Sequence, residues 1–168
     1  MKKMIPWLAL IVTLLILGTI AAQIDDWGRD WTTNFAELSE QAEDPELRPL
    51  TLEMDADAAQ ALIMDWVQSQ SHWSVLDNET AESEDTTPTA LSVIRLTRST
   101  KLFRFVDDIT VRLTPVDGGF LSLHAESQSR LGKGDLGQNP RNLKELTRGI
   151  GRLAENRLSA PANQAPSS

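Results

Sequence analysis

The chain is 168 residues long, carries a formal net charge of −8 and contains no cysteine, which leaves room for one domain with tails. The missing thiols exclude disulfide scaffolds, iron–sulfur centres and thiolate zinc sites. With only His72 and His124, and no tyrosine, most nitrogen-rich metal sites and any catalytic phenol are excluded too; no metal and no cofactor are expected, and the acidic balance argues against nucleic acid as a partner.

Lys2 and Lys3 precede a run without charge from Met4 to Ala22. As a helix that run spans about 28 Å, close to the hydrocarbon thickness of a bilayer. Trp7 stands near one end, and Trp27 and Trp31 follow the other, where interfacial aromatics belong. Positive charge before the run and Asp25 and Asp26 after it place the N-terminus in the cytoplasm and the rest outside. Residues 1–24 are therefore expected to be a signal anchor or transmembrane helix. The alternative is a cleaved signal peptide ending at Thr19-Ile20-Ala21.

Charge is unevenly distributed along the remainder. Between Asp25 and Asp57 eleven acidic residues stand against Arg29 and Arg48, whereas Ser127–Leu158 holds seven basic residues against Asp135, Glu145 and Glu155. Residues 25–49 read as an acidic juxtamembrane helix or linker, with Trp27, Trp31, Phe35 and Leu38 at near-helical spacing. The folded domain is placed at 50–158. Leu50, Leu52 and Met54 alternate as a half-buried strand. Asp55 or Asp57 then caps a helix with Ala59, Leu62, Ile63, Trp66 and Val67 on one face. Trp73 and Val75 open a second strand, and the polar stretch Asp77–Thr89 reads as a solvated loop. Ala90–Thr97, Val106–Thr114 and Gly119–Ser127 follow as strands, the last two joined by the turn Pro115-Val116-Asp117-Gly118-Gly119 and so antiparallel. Asn139 at the cap and Pro140 at the first position start a final helix whose stripe is Leu143, Leu146, Ile150 and Leu153. Gly149 and Gly151 weaken that helix or permit close packing. Residues 159–168 read as a disordered tail. The fold class is α+β: a four- to five-stranded antiparallel sheet with two helices on one face, preceded by one transmembrane helix.

Three segments carry a resemblance: Thr97-Arg98 with Phe103-Arg104-Phe105-Val106-Asp107-Asp108-Ile109, then Ser127-Gln128-Ser129-Arg130-Leu131-Gly132, then Gly134-Asp135-Leu136-Gly137-Gln138-Asn139-Pro140-Arg141. From about Leu50 to Leu158 the chain resembles the bacterial domain-of-unknown-function family 1499. The resemblance implies an exported or membrane-attached bacterial protein, here a single-pass protein of the inner membrane with its domain on the periplasmic side, and it implies no particular activity.

Candidate chemistry follows from residue type and spacing. Gly132-Lys133-Gly134-Asp135-Leu136-Gly137 satisfies G-x-G-x-x-G, but a dinucleotide site needs a parallel βαβ unit and this strand belongs to an antiparallel hairpin. Arg130, Lys133 and Arg141 surround the start of the last helix, where free N–H groups favour an anion, while Asp135 and Asn139 cap the same amides and partly offset it; Arg98 and Asn139 complete the candidate ligand residues. The bland reading pairs Arg130 or Arg141 with Asp107, Asp108 or Asp135 to brace the turn, so that Arg130→Ala would lower thermal stability. Asp107 and Asp108 are adjacent and point to opposite faces of a strand, which keeps them from working as a pair. Ser127 and Ser129 share a face that His124 does not. Arg141, Lys144, Arg148 and Arg152 form a basic stripe, either solvated or resting on anionic headgroups. Two functions remain open: a non-catalytic binding or interaction module of the cell envelope, holding a lipid, anion or partner protein, or a small exported hydrolase using Asp107, Asp108 and Asp135 with Arg98 and Arg130.

Overall fold

From Ile109 to Leu113 every second residue is apolar and buried, which is the period of a strand with one wet face. Ile109, Val111 and Leu113 face inward at 1% exposure or less, as do Ile94 and Leu96 on the neighbouring strand. The computed structural model describes residues 4–22, 28, 32–80, 90–100 and 105–159. In chain order they form α1 (Met4–Ala21), β1 (Phe35–Glu37), a 3₁₀ turn (Pro45–Leu47), β2 (Leu50–Leu52), α2 (Ala56–Ser69), β3 (Trp73–Thr80), β4 (Ser92–Ser99), β5 (Val106–Val116), β6 (Phe120–Ser129) and α3 (Gln138–Ser159).

The strands make one six-stranded antiparallel sheet in the order β1-β6-β5-β4-β3, with β2 also pairing β6. The α+β class and the antiparallel hairpins follow the sequence expectation; the strand count exceeds it by β1. Phe35, Ala36 and Glu37 pair with Gln128, Ser127 and Glu126, and Leu38 enters the core with its N–H donated to the Ala125 carbonyl at 2.9 Å. The helix or spacer expected over 25–49 is thus corrected: a sheet strand and a docked 3₁₀ turn occupy part of it. β3 reaches Thr80, so the solvated loop begins later than Asp77, and residues 81–89 lie outside the described residues.

α2 starts where the Asp55 carboxylate accepts from the Ala58 N–H at 2.8 Å, and the five residues expected on its inner face are all buried. α3 buries Leu143, Leu146 and Ile150, each such side chain contributing about 1.5–3 kcal/mol of transfer free energy. Both helices pack into one cluster with the inward residues of β4, β5 and β6. The β5–β6 turn is tighter than expected, Asp117-Gly118-Gly119, and both glycines take positive φ (87° and 81°), a conformation that costs a side-chain-bearing residue energy.

α1 stands apart from this core. Its large side chains from Trp7 to Leu17 are exposed. The membrane-spanning helix expected over residues 1–24 is not met, because among the described residues no helix is long and apolar enough to cross a membrane. The 18 residues of α1 rise about 27 Å, at the lower end of what spanning a bilayer takes.

Candidate functional site

The inward face that carries Ile109, Val111 and Leu113 continues to Asp107, and that of Leu121, Leu123 and Ala125 continues to Ser127 and Ser129. At that end the core turns polar. Asp107 (1% exposed), Ser127, Asn139 and Asn142 (0% each) are buried together. Ser129 donates its hydroxyl to Asp107 Oδ1 at 2.7 Å, and Asn142 donates Nδ2 to Asp107 Oδ2 at 2.9 Å and to Ser127 Oγ at 3.1 Å. Ser127 donates to Asn139 Oδ1 at 2.7 Å. Asn139 Nδ2 donates to the Asn34 carbonyl at 2.7 Å and to Ser129 Oγ at 3.2 Å. Asn34 returns a bond from Nδ2 to the Gly132 carbonyl at 2.9 Å. This satisfied network ties the start of α3 to β5, β6 and the residue before β1, and buried polar groups persist only when satisfied in this way. Asn34 and Asn142 escaped the sequence reading, although Asn142 precedes the apolar Leu143 of α3 and Asp107 shares the parity of Ile109.

The candidate ligand residues are dispersed. Asp107 points inward and Asp108 outward, where Arg130 grips it through Nε and Nη2 at 2.8 and 2.7 Å. This pairing raises the Arg130 guanidinium further above its ordinary value. The pair is one that the bracing expectation named, but both partners are close to half exposed (49% and 44%) and exposed pairs stabilise little, so Arg130→Ala is expected to leave the thermal midpoint within measurement error. Lys133 is exposed. Asn139 does not cap: its side chain is drawn into the network, and Asp135 takes the cap, accepting from the N–H groups of Gly137 (2.9 Å) and Asn139 (2.7 Å). The helix start is thereby occupied by the protein's own carboxylate, which displaces the anion site expected there. Arg141 donates Nη1 to the Leu136 carbonyl at 3.0 Å. The glycine-rich run joins an antiparallel strand to α3, not the parallel unit a dinucleotide needs.

Of the five, only Arg98 and Arg141 meet, in a groove of about 790 Å³ along α3. Its cations are Arg98 from β4 and Arg141, Lys144, Arg148 and Arg152 from α3; Trp66 and Gln70 line the α2 side, and Ala22, the residue after α1, is also in the lining. Among the described lining residues Glu145 is the one carboxylate, and it accepts from Arg98 Nε at 3.0 Å. The acidic 3₁₀ turn runs along the outer side of α3. There Asp44 meets Lys144 at 2.8 Å, Glu46 pairs with Arg148, and the Glu46 carbonyl accepts from Thr147 Oγ1 at 2.8 Å. The Lys144 hydrogen bond, with the Glu46 backbone N–H second, holds the Asp44 carboxyl below the usual carboxylate range. Trp66 also stacks edge-on against Trp73, ring centroids 4.9 Å apart. Among the described residues no group of three or more His, Cys, Asp or Glu could hold a metal ion.

Residues 30–150 match the family described as "Protein of unknown function (DUF1499)". The chain belongs to the DUF1499 family. The match opens twenty residues before Leu50, where the domain boundary was expected, and so takes in β1 and the 3₁₀ turn as well as the sheet and most of α3. The segments on which the DUF1499 resemblance rested supply four side chains of the buried polar network, Asp107, Ser127, Ser129 and Asn139. No curated protein sequence matches the chain. Among solved structures, the Ran-binding protein Mog1p of Saccharomyces cerevisiae is similar over 71% of this chain and 71% of its own, at 13% identity and a TM-score of 0.33.

Proposed function

We propose that this protein is a membrane-tethered, non-catalytic binding module of the bacterial cell envelope whose ligand is an anion held in the α3 groove. The observation that carries this reading is the lining: Arg98, Arg141, Lys144, Arg148 and Arg152 converge on one groove, and Glu145, Asp44 and Glu46 hold three of them from the side. Guanidinium and ammonium groups converging on a concave surface favour carboxylate or phosphate oxygens. The hydrolase alternative finds less support. Asp107 is sealed in the core, Asp108 is on the opposite face and Asp135 caps a helix, so the three share no pocket in which to act together.

The tether is α1. An apolar helix with its large side chains exposed requires an apolar surrounding, and lipid supplies one.

Titration of inorganic phosphate into the full chain in zwitterionic micelles, followed by isothermal calorimetry, tests the reading. Saturable binding is expected, weakened about tenfold or more when Arg141 and Arg152 are both changed to Gln, and unchanged by Arg112→Gln, whose partner Glu126 lies on the open face of the sheet. Absence of saturable binding, or equal affinity in all three proteins, sinks it.

A further inference from the structure

We infer that the anion this groove takes is a carboxylate, seated between the Arg98 guanidinium and the Trp66 indole N–H; the inference rests on the anion-binding reading above. Its starting point is a pair of donors without acceptors. Arg98 engages Glu145 through Nε at 3.0 Å, and among the described residues nothing accepts from its Nη groups or from Trp66 Nε1. Among those residues the buried side-chain nitrogen or oxygen left unpartnered is Trp73 Nε1. The Arg98 Nη atoms and Trp66 Nε1 are therefore not sealed, and they reach the groove that both residues line. Both residues are nonetheless largely withdrawn from solvent, the Arg98 side chain 16% and Trp66 6% exposed. N–H donors so placed lose most of their water and gain more from an acceptor than surface donors do.

Packing brings the two donors together. Trp73 on β3 stands directly opposite Arg98 on β4, so their side chains share one face of the sheet, and Trp66 meets Trp73 edge-on. On α3, Glu145 takes Arg98, and Gly149, one turn further, abuts Trp66: a Cβ there would stand 1.9 Å from Nε1. Glycine thus lets the indole edge come up to the helix surface beside the Arg98–Glu145 pair. Four residues of helical rise, about 6 Å, separate these two contacts, a gap that one carboxylate fills with a hydrogen bond of about 2.9 Å on either side. Donor number and shape favour carboxylate over phosphate. The free end of a guanidinium matches the plane of two carboxylate oxygens, and the indole adds one further bond without adding charge. The pair offers nothing to the third oxygen of a phosphate, and Glu145 on the same guanidinium repels its second negative charge.

The test follows the indole N–H resonances of the full chain in neutral maltoside micelles, at constant ionic strength in chloride, as acetate or inorganic phosphate is added. Trp66→Phe identifies the Trp66 resonance by its loss. In wild type that resonance is expected to move downfield and saturate with acetate, at a concentration about threefold or more below that at which phosphate saturates. Arg98→Lys keeps the charge and removes the fork, and should raise the acetate requirement about tenfold; Arg130→Gln, outside the groove, should leave it unchanged. By calorimetry, Trp66→Phe, which keeps a ring against Trp73 and removes the N–H, should weaken acetate by about threefold to tenfold. A Trp66 resonance that acetate does not move, equal acetate affinity in wild type and Arg98→Lys, or phosphate acting at or below the acetate concentration overturns the inference. If phosphate binds, weakened in the Arg141→Gln, Arg152→Gln double variant, while acetate leaves Trp66 unmoved, the carboxylate assignment falls and anion binding stands; if neither anion binds, both fall.

Discussion

Gly149→Ala is expected to destabilise the fold by about 1–3 kcal/mol, although alanine is the better helix former. A Cβ at Gly149 would stand 1.9 Å from Trp66 Nε1 and 2.4 Å from the adjacent ring carbon. The indole is 6% exposed and stacked on Trp73, so relieving the clash must break that ring contact or separate α2 and α3. Gly151, two residues on, provides the opposite case. A Cβ there meets only Leu50 methyl carbons at 3.8 and 4.0 Å, ordinary contact, so Gly151→Ala is expected to gain up to about 1 kcal/mol from helix propensity. Urea denaturation of the two variants checks both signs at once. If Gly149→Ala proves as favourable as Gly151→Ala, the close helix contact is not real. Trimming Trp66 to Leu in the Gly149→Ala background should return part of the loss, a coupling that independent sites would not show.

The second large effect separates two neighbouring aspartates. Asp107→Ala is expected to cost about 3 kcal/mol or more, because it leaves the Ser129 hydroxyl and the Asn142 amide without their acceptor inside the core. Asp108→Ala removes an exposed partner of Arg130 and should change stability too little to measure. Asn139→Ala belongs with Asp107: the residue is fully buried and makes three side-chain bonds within 3.2 Å, so about 2–4 kcal/mol is expected. Thermal unfolding of the three variants distinguishes this ranking from one in which Asp107 serves chemistry and not packing. A stable Asp107→Ala protein that fails to bind or act would reverse the assignment.

How far the sequence reached can be followed at particular residues. Ile109, Val111 and Leu113 announce a one-sided strand by parity, and Leu62, Ile63 and Trp66 a helix face by spacing, because each pattern is local and each period is fixed by backbone geometry. Phe35-Ala36-Glu37 could not be read in that way. Trp27, Trp31, Phe35 and Leu38 imitate a helical stripe, and the strand exists only through its pairing with Glu126–Gln128, some ninety residues away. Short strands draw their stability from partners and not from propensity. Asn139 before Pro140 obeys the local rule for a cap, yet its side chain is worth more in the buried network, and Asp135 fills the vacated role.

The site divides along the same line. The basic residues of α3 were legible as a stripe, and Ser127 and Ser129 as one face. The sequence alone settled composition, the element order from β2 to α3, the antiparallel hairpin and the family, all of which depend on residue identity and on neighbours a few positions apart. Only the tertiary structure decided that Arg98 joins Arg141 while Arg130 leaves for Asp108, and that Asp107 is an inner tie. It also decided that the acidic turn at Asp44–Glu46 lies along α3. Those outcomes depend on which side chains packing brings within about 3 Å, the distance at which hydrogen bonds and ion pairs form, and no local period encodes that distance.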